Sequence, residues 1–119
     1  MERVVCFVMA SSREEARRIG DAVVGERLAA CANVLGPVAS TYWWKGKVAR
    51  DLEVLLILKT RRALLAKLTS RVRSLHSYDV PEVIAFPIVG GNSAYLEWID
   101  ESVRPRRTRN RGRADGRRQ

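Results

Sequence analysis

The side chains able to do chemistry are few and far apart. The sequence holds one histidine, His76, and two cysteines, Cys6 and Cys31. Imidazole and thiol suit copper and zinc, and Glu82, shortly after His76, adds a carboxylate oxygen. His76, Glu82 and Cys31 are therefore the candidate metal donors. A histidine at a helix end also has a structural use, because its cation complements the negative end of the helix dipole. Cys31 has one too: nothing cationic stands beside it in sequence, and a cysteine in an apolar run acts as a small hydrophobe. One donor of each kind per chain builds a closed metal site only through symmetry or a partner.

Catalysis is poorly supplied. No nucleophile elbow, His-Glu-x-x-His or dinucleotide fingerprint is present, and one histidine leaves few general bases. Tyr78, Asp79 and Glu82 can form a polar cluster, but no reaction follows from them, and the chain reads as a binding protein rather than an enzyme. Lys59 closes an apolar run where an anion could be met. Gly90-Gly91 before a helix lacks any phosphate-loop consensus. Trp43, Trp44 and Trp98 read first as core and interface residues.

These residues hang on elements whose patterns are clear. Val4–Met9 is a continuous apolar run, hence a central strand. Ser11 and Ser12 stand three residues ahead of Glu14 and Glu15, a capping-box signature, and residues 13–28 follow as an amphipathic helix. Cys31–Leu35 begins a second strand, interrupted at Gly36-Pro37. It bends into Val38–Val48, rich in β-branched and aromatic residues. Ala49-Arg50-Asp51 is the polar break expected to reverse the chain, and Glu53–Lys59 returns as a strand buried on both faces. Adjacent Trp43 and Trp44 must point to opposite faces, one into the core and the other into a subunit interface. Thr60 is placed to cap a second helix with Leu64, Leu65, Leu68, Val72 and Leu75 on one stripe. After a loop at Ser77–Pro81 come a strand over Val83–Val89, at an edge because of Pro87, and a short helix from Ser93.

The order β-α-β-β-α-β plus a C-terminal helix predicts an α+β, ferredoxin-like domain over residues 1–103. In its usual strand order the first two strands are not neighbours, so Cys6 and Cys31 are not expected to bond. The formal charge of +9 sits mostly at one end. Residues 104–119 hold eight arginines against one aspartate, which leaves 14 basic and 12 acidic residues in 1–103. With almost no aliphatics, that tail is expected to be disordered. Its affinity for nucleic acid should be weak, unspecific and salt-sensitive. The sheet itself is no base-stacking platform, because Val54–Leu58 carries no aromatic residue. No run is long enough to span a membrane, and two cysteines in apolar sequence suit a reducing, cytoplasmic setting.

Five words occur in register: Cys31-Ala-Asn33, Ser40-Thr-Tyr42-Trp43-Trp44-Lys-Gly46-Lys47, Glu53 through Lys59-Thr60, His76-Ser-Tyr78-Asp-Val-Pro81-Glu82 and Tyr95-Leu-Glu-Trp98-Ile99. Together they closely resemble the CutA family of divalent-cation tolerance proteins, over residues 3–103. The resemblance implies a cytoplasmic homotrimer linked to copper and other divalent cations, with no obligatory cofactor. It also implies an architecture similar to the PII signalling proteins, which makes a regulatory trimer with a small-molecule or protein partner the alternative. Tyr42, Trp44, Lys59, Tyr78 and Trp98 become candidates for clefts between subunits. Where some members carry a strand-end cysteine and a second histidine, this chain has Val8 and Leu75, and Ser77 replaces a common proline.

Overall fold

The computed structural model describes residues 2–105. The Arg-rich segment expected to be disordered therefore lies outside the described residues from position 106 onward. The elements are β1 (Arg3–Ala10), α1 (Arg13–Gly25), β2 (Cys31–Trp44), β3 (Lys47–Arg61), a 3-10 turn (Arg62–Leu64), α2 (Leu65–Leu75), β4 (Val83–Pro87) and α3 (Ser93–Ser102). The strands form one antiparallel sheet in the order β2-β3-β1-β4. This is the expected ferredoxin-like arrangement with its extra C-terminal helix. β1 is central as its apolar run requires, and Pro87 ends an edge strand, where its missing N–H costs no ladder bond.

Alternation along the strands decides which face is covered. Val4, Cys6, Val8 and Ala10 of β1 and Val54, Leu56 and Leu58 of β3 are buried against Ala16, Ile19 and Val23 of α1 and Leu68 and Val72 of α2. The residues between them on β1 and β3 face the other way and are only half-buried. The strand from Glu53 is thus buried on one face within the chain, not on both. α3 crosses one end of the open face, because Asp100 takes a bidentate contact from Arg3 at 2.7 and 3.0 Å and lies 3.9 Å from Arg61. Beyond α3 the open face is apolar, with Phe7 packed against Phe86 in a tilted pair, ring centres 5.2 Å apart, and Leu35, Ile84 and Phe86 exposed.

α1 begins as its sequence dictates. Ser12 accepts the Glu15 amide at 3.0 Å as N-cap. The helix stops at Gly25 rather than residue 28, in a Schellman motif: Leu28 N–H reaches the Val23 carbonyl at 2.8 Å and Arg27 N–H the Val24 carbonyl at 3.0 Å. Arg27, not a glycine, takes the left-handed position (φ 62°), and its guanidinium donates to the Ser102 carbonyl at 2.8 Å. Gly20 lets α1 lie close on β2, since a Cβ there would meet the Ala32 Cβ at 2.9 Å.

The hairpin differs from the sequence expectation in four ways. Its turn is Lys45-Gly46, both at positive φ (51° and 79°), while Ala49, Arg50 and Asp51 pair within β3 with Tyr42, Thr41 and Ser40. Two left-handed residues match the twist of the flanking strands, which a longer polar break does not. Neither tryptophan enters the core: Trp43 is 75% and Trp44 61% exposed, because the hairpin projects past both helices. The interruption at Gly36-Pro37 is a bulge in one long strand, the register passing from Leu35↔Leu55 to Val38↔Glu53. Thr60 caps nothing; it lies in β3 opposite Val4, fully buried. The molecule is correspondingly elongated, 56 × 28 × 23 Å.

Candidate cleft sites

Two polar clusters hold most of the residues singled out from sequence. The first lies where β1 ends and α1 begins. The capping box places Glu15 there, and its carboxylate is 5% exposed. One oxygen accepts Ser11 N–H at 2.8 Å and Ser11 Oγ at 2.7 Å; the other accepts Ser77 N–H at 2.7 Å. Burial alone would raise this carboxyl, but the Ser11 and Ser77 donors more than offset it and hold it at about 2.

His76 follows α2 directly, and its imidazole is fully buried. Nδ1 accepts Tyr78 N–H at 3.0 Å, which leaves Nε2–H to donate to the Met9 carbonyl at 2.8 Å. Both nitrogens are engaged, so a metal at His76 would first have to displace one of these partners. In this arrangement the ring anchors the 76–81 loop. Tyr78 packs on the imidazole at 4.6 Å and donates through its hydroxyl to Glu53 at 3.0 Å. Its phenol is pushed well above the ordinary tyrosine range, by burial first and by the Glu53 carboxylate next. Tyr42, farther along the hairpin, donates to Asp51, which raises its own phenol.

The second cluster sits on the open face beneath α3. Cys31 and Lys59 are cross-strand partners, and Tyr95 of α3 comes down on both. The Lys59 ammonium lies 3.3 Å from the Tyr95 hydroxyl and 5.6 Å from its ring centre. The Cys31 sulfur lies 3.9 Å from the same hydroxyl and 3.9 Å from Asn33 Oδ1. Trp98 extends the aromatic wall, 5.3 Å from Tyr95. Burial pulls the Lys59 ammonium down, but Tyr95 and Cys31 outweigh it and hold it above the usual lysine range.

The three metal candidates do not meet within one chain. Cys31 begins β2 and Glu82 immediately precedes β4, the two edges of the sheet, about 14 Å apart at 4.8 Å per strand. Among the described residues no three His, Cys, Asp or Glu side chains are grouped to hold a metal ion. Trp44 is exposed at the hairpin end, with Lys45 5.5 Å over its ring. Of the proposed cleft residues, Lys59 joins Trp98 through Tyr95, and Tyr78 joins His76. Sequence reasoning missed Tyr95, Asn33 and Glu53 as site residues and read Glu15 only as a cap. The Tyr95-x-x-Trp98 spacing, one helical turn, was the available signal. A hollow of about 410 Å³ between the C-terminal ends of α1 and α3, lined by Arg27, Ala30 and Ser102 among others, lies apart from both clusters.

Residues 4–102 match the family model for CutA1 divalent ion tolerance protein. The chain belongs to the CutA1 family. It is 50% identical over 101 residues to a chloroplastic CutA 1 protein of Oryza sativa subsp. japonica, covering 85% of this chain and 57% of that one. It is 47% identical over 103 residues to a divalent-cation tolerance protein CutA of Thermus thermophilus, covering 87% and 99%. The chain thus spans little over half the length of the plant CutA relative and nearly all of the bacterial one. A crystal structure of CutA1 from Oryza sativa superposes with a TM-score of 0.85 at 48% identity, covering 87% of this chain and 95% of that one. None of the helices among the described residues is long and apolar enough to cross a membrane.

Proposed function

We propose that this CutA1 protein serves divalent-cation tolerance by binding, not catalysis, as a cytoplasmic homotrimer whose inter-subunit clefts take a copper ion or a small ligand. The observation that carries it is the uncovered half of the sheet. Leu35, Ile84 and Phe86 on the open face, and Trp43, Trp44, Val48 and Leu52 on the projecting hairpin, are all exposed in the single chain. Apolar surface on this scale, on the open face and on both sides of the hairpin, marks an interface, and a closed rotation of identical chains covers it. Another copy of the same chain is the partner best matched to it, since the folded body carries little net charge to repel a like chain. The free thiols Cys6 and Cys31 suit a reducing compartment.

In the trimer, the Cys31 thiol and Glu82 of different chains are the accessible metal donors, with His76 holding its loop from behind. The alternative, a regulatory trimer for a small ligand, is supported by Lys59, Tyr95 and Trp98, which suit an anionic or aromatic group rather than a cation. Native mass spectrometry with and without copper tests both at once. The expected result is a mass of three chains with copper retained after buffer exchange. A monomer sinks the assembly, and a trimer that keeps no copper leaves the small-ligand reading.

A further inference from the structure

The Cys31 cluster supports chemistry beyond metal or ligand binding. The chain's two thiols stand in opposite settings. Cys6 is fully buried in the core, where burial pushes its thiol up to about 11. Cys31 is partly accessible, paired across strands with the Lys59 ammonium and within reach of the Tyr95 hydroxyl. Among the described residues no carboxylate forms an ion pair with Lys59; its hydrogen bond goes to a phenol. A sulfur beside an uncompensated cation and an aromatic wall is a place for an anionic, sulfur-reactive molecule.

We propose that Cys31 is a modification site that forms a mixed disulfide with anionic low-molecular-weight disulfides, with Lys59 as the docking group for their carboxylates. The step balances without another oxidant. Cys31 loses its proton to solvent, and its sulfur attacks one sulfur of the incoming disulfide. The old S–S bond breaks, and the departing half leaves as a thiolate that takes up one proton. Cys31 is oxidised and the departing thiol is reduced by the same electron pair. Lys59 touches the reagent rather than the breaking bond, so its signature is a preference for charge. Neighbouring fixed charge raises the local concentration of an oppositely charged reagent and loses that effect in salt.

The test incubates the metal-free, chelator-treated full chain with oxidised glutathione or with neutral 2-hydroxyethyl disulfide, read by intact mass and peptide mapping. The expected result is one adduct per chain, on Cys31 and not Cys6, reversed by dithiothreitol. Relative to the free-cysteine rate with each reagent, oxidised glutathione should be favoured about fivefold at low salt. Lys59→Gln should bring that preference to near one, and Lys59→Arg should keep it. Raising the salt should erase the preference in the wild type, a readout that holds even if Lys59→Gln fails to fold. No adduct on Cys31, an adduct on Cys6 instead, or a preference indifferent to both Lys59→Gln and salt overturns the proposal. Copper retention is measured separately, so either reading can fail alone.

Discussion

The Glu15 carboxylate and the Ser77 amide meet at 2.7 Å across 62 positions of sequence, joining the start of α1 to the loop after α2. Because the Ser11 and Ser77 donors hold Glu15 at about 2, against 4.5 ordinarily, folding favours its charged form. A depressed carboxyl contributes stability that is complete above the unfolded value and is lost as pH falls through the folded one. The window is therefore pH 4.5 down to about 2. Denaturant titrations at pH 6 and pH 3 should show Glu15 accounting for roughly 2 kcal/mol of the loss. Glu15→Gln should be less stable at pH 6 and should lack that part of the acid dependence.

Removing the imidazole of His76 leaves the Tyr78 amide and the Met9 carbonyl without their buried partner. His76→Ala should cost about 3 kcal/mol by thermal or chemical unfolding, which a surface cap would not. If copper is held in the cleft through Cys31, Cys31→Ser should remove it, and His76→Gln should retain it wherever the variant is folded. Copper that survives Cys31→Ser and disappears with His76→Gln would return the imidazole to the metal.

The open face should tolerate charge only in an isolated chain. Ile84 and Phe86 are 46% and 44% exposed, so Ile84→Lys with Phe86→Asp removes little buried area from the monomer. Light scattering should find this double variant as monomers with a native circular dichroism spectrum. A variant that stays trimeric would place the interface elsewhere.

Asp100 is the ionic tie that the described part of α3 makes to the sheet, its carboxyl held low chiefly by the Arg3 hydrogen bonds. Asp100→Asn should cost about 1–3 kcal/mol, because two guanidinium contacts lose their anion. Hydrogen exchange should report it locally, as faster exchange in Ser93–Ser102 than in β1 or β3.

The elements packed on this chain's own core were legible, and those packed on nothing within it were not. Val4–Met9 and the stripe Leu68–Val72 announce themselves because burial selected their period. The distal hairpin has no such selection inside one chain, so Trp43, Trp44 and Leu52 gave no alternation from which to place the turn. Ala49-Arg50-Asp51 then outweighed Lys45-Gly46, although the glycine was the better signal. In the sites, residue types were readable but partners were not. Lys59 and Tyr95 lie 36 positions apart, and only the crossing of α3 over the sheet brings them together. His76 was read from its position at a helix end, where exposure is the rule; the end of β1 beneath it is a tertiary fact.

The Arg27 guanidinium on the Ser102 carbonyl gives the molecule a polarity with practical use. It fastens the last helix beside the foot of α1, so the described chain leaves at the pole opposite the Lys45-Gly46 turn, along the 56 Å axis. A fluorophore, affinity handle or surface tether attached at exposed position 104 therefore starts at the base and presents the tryptophan-bearing tip outward. Immobilised that way, the protein offers its hairpin to solution and keeps its anchor clear of it. Attachment through the Lys45-Gly46 turn reverses the display.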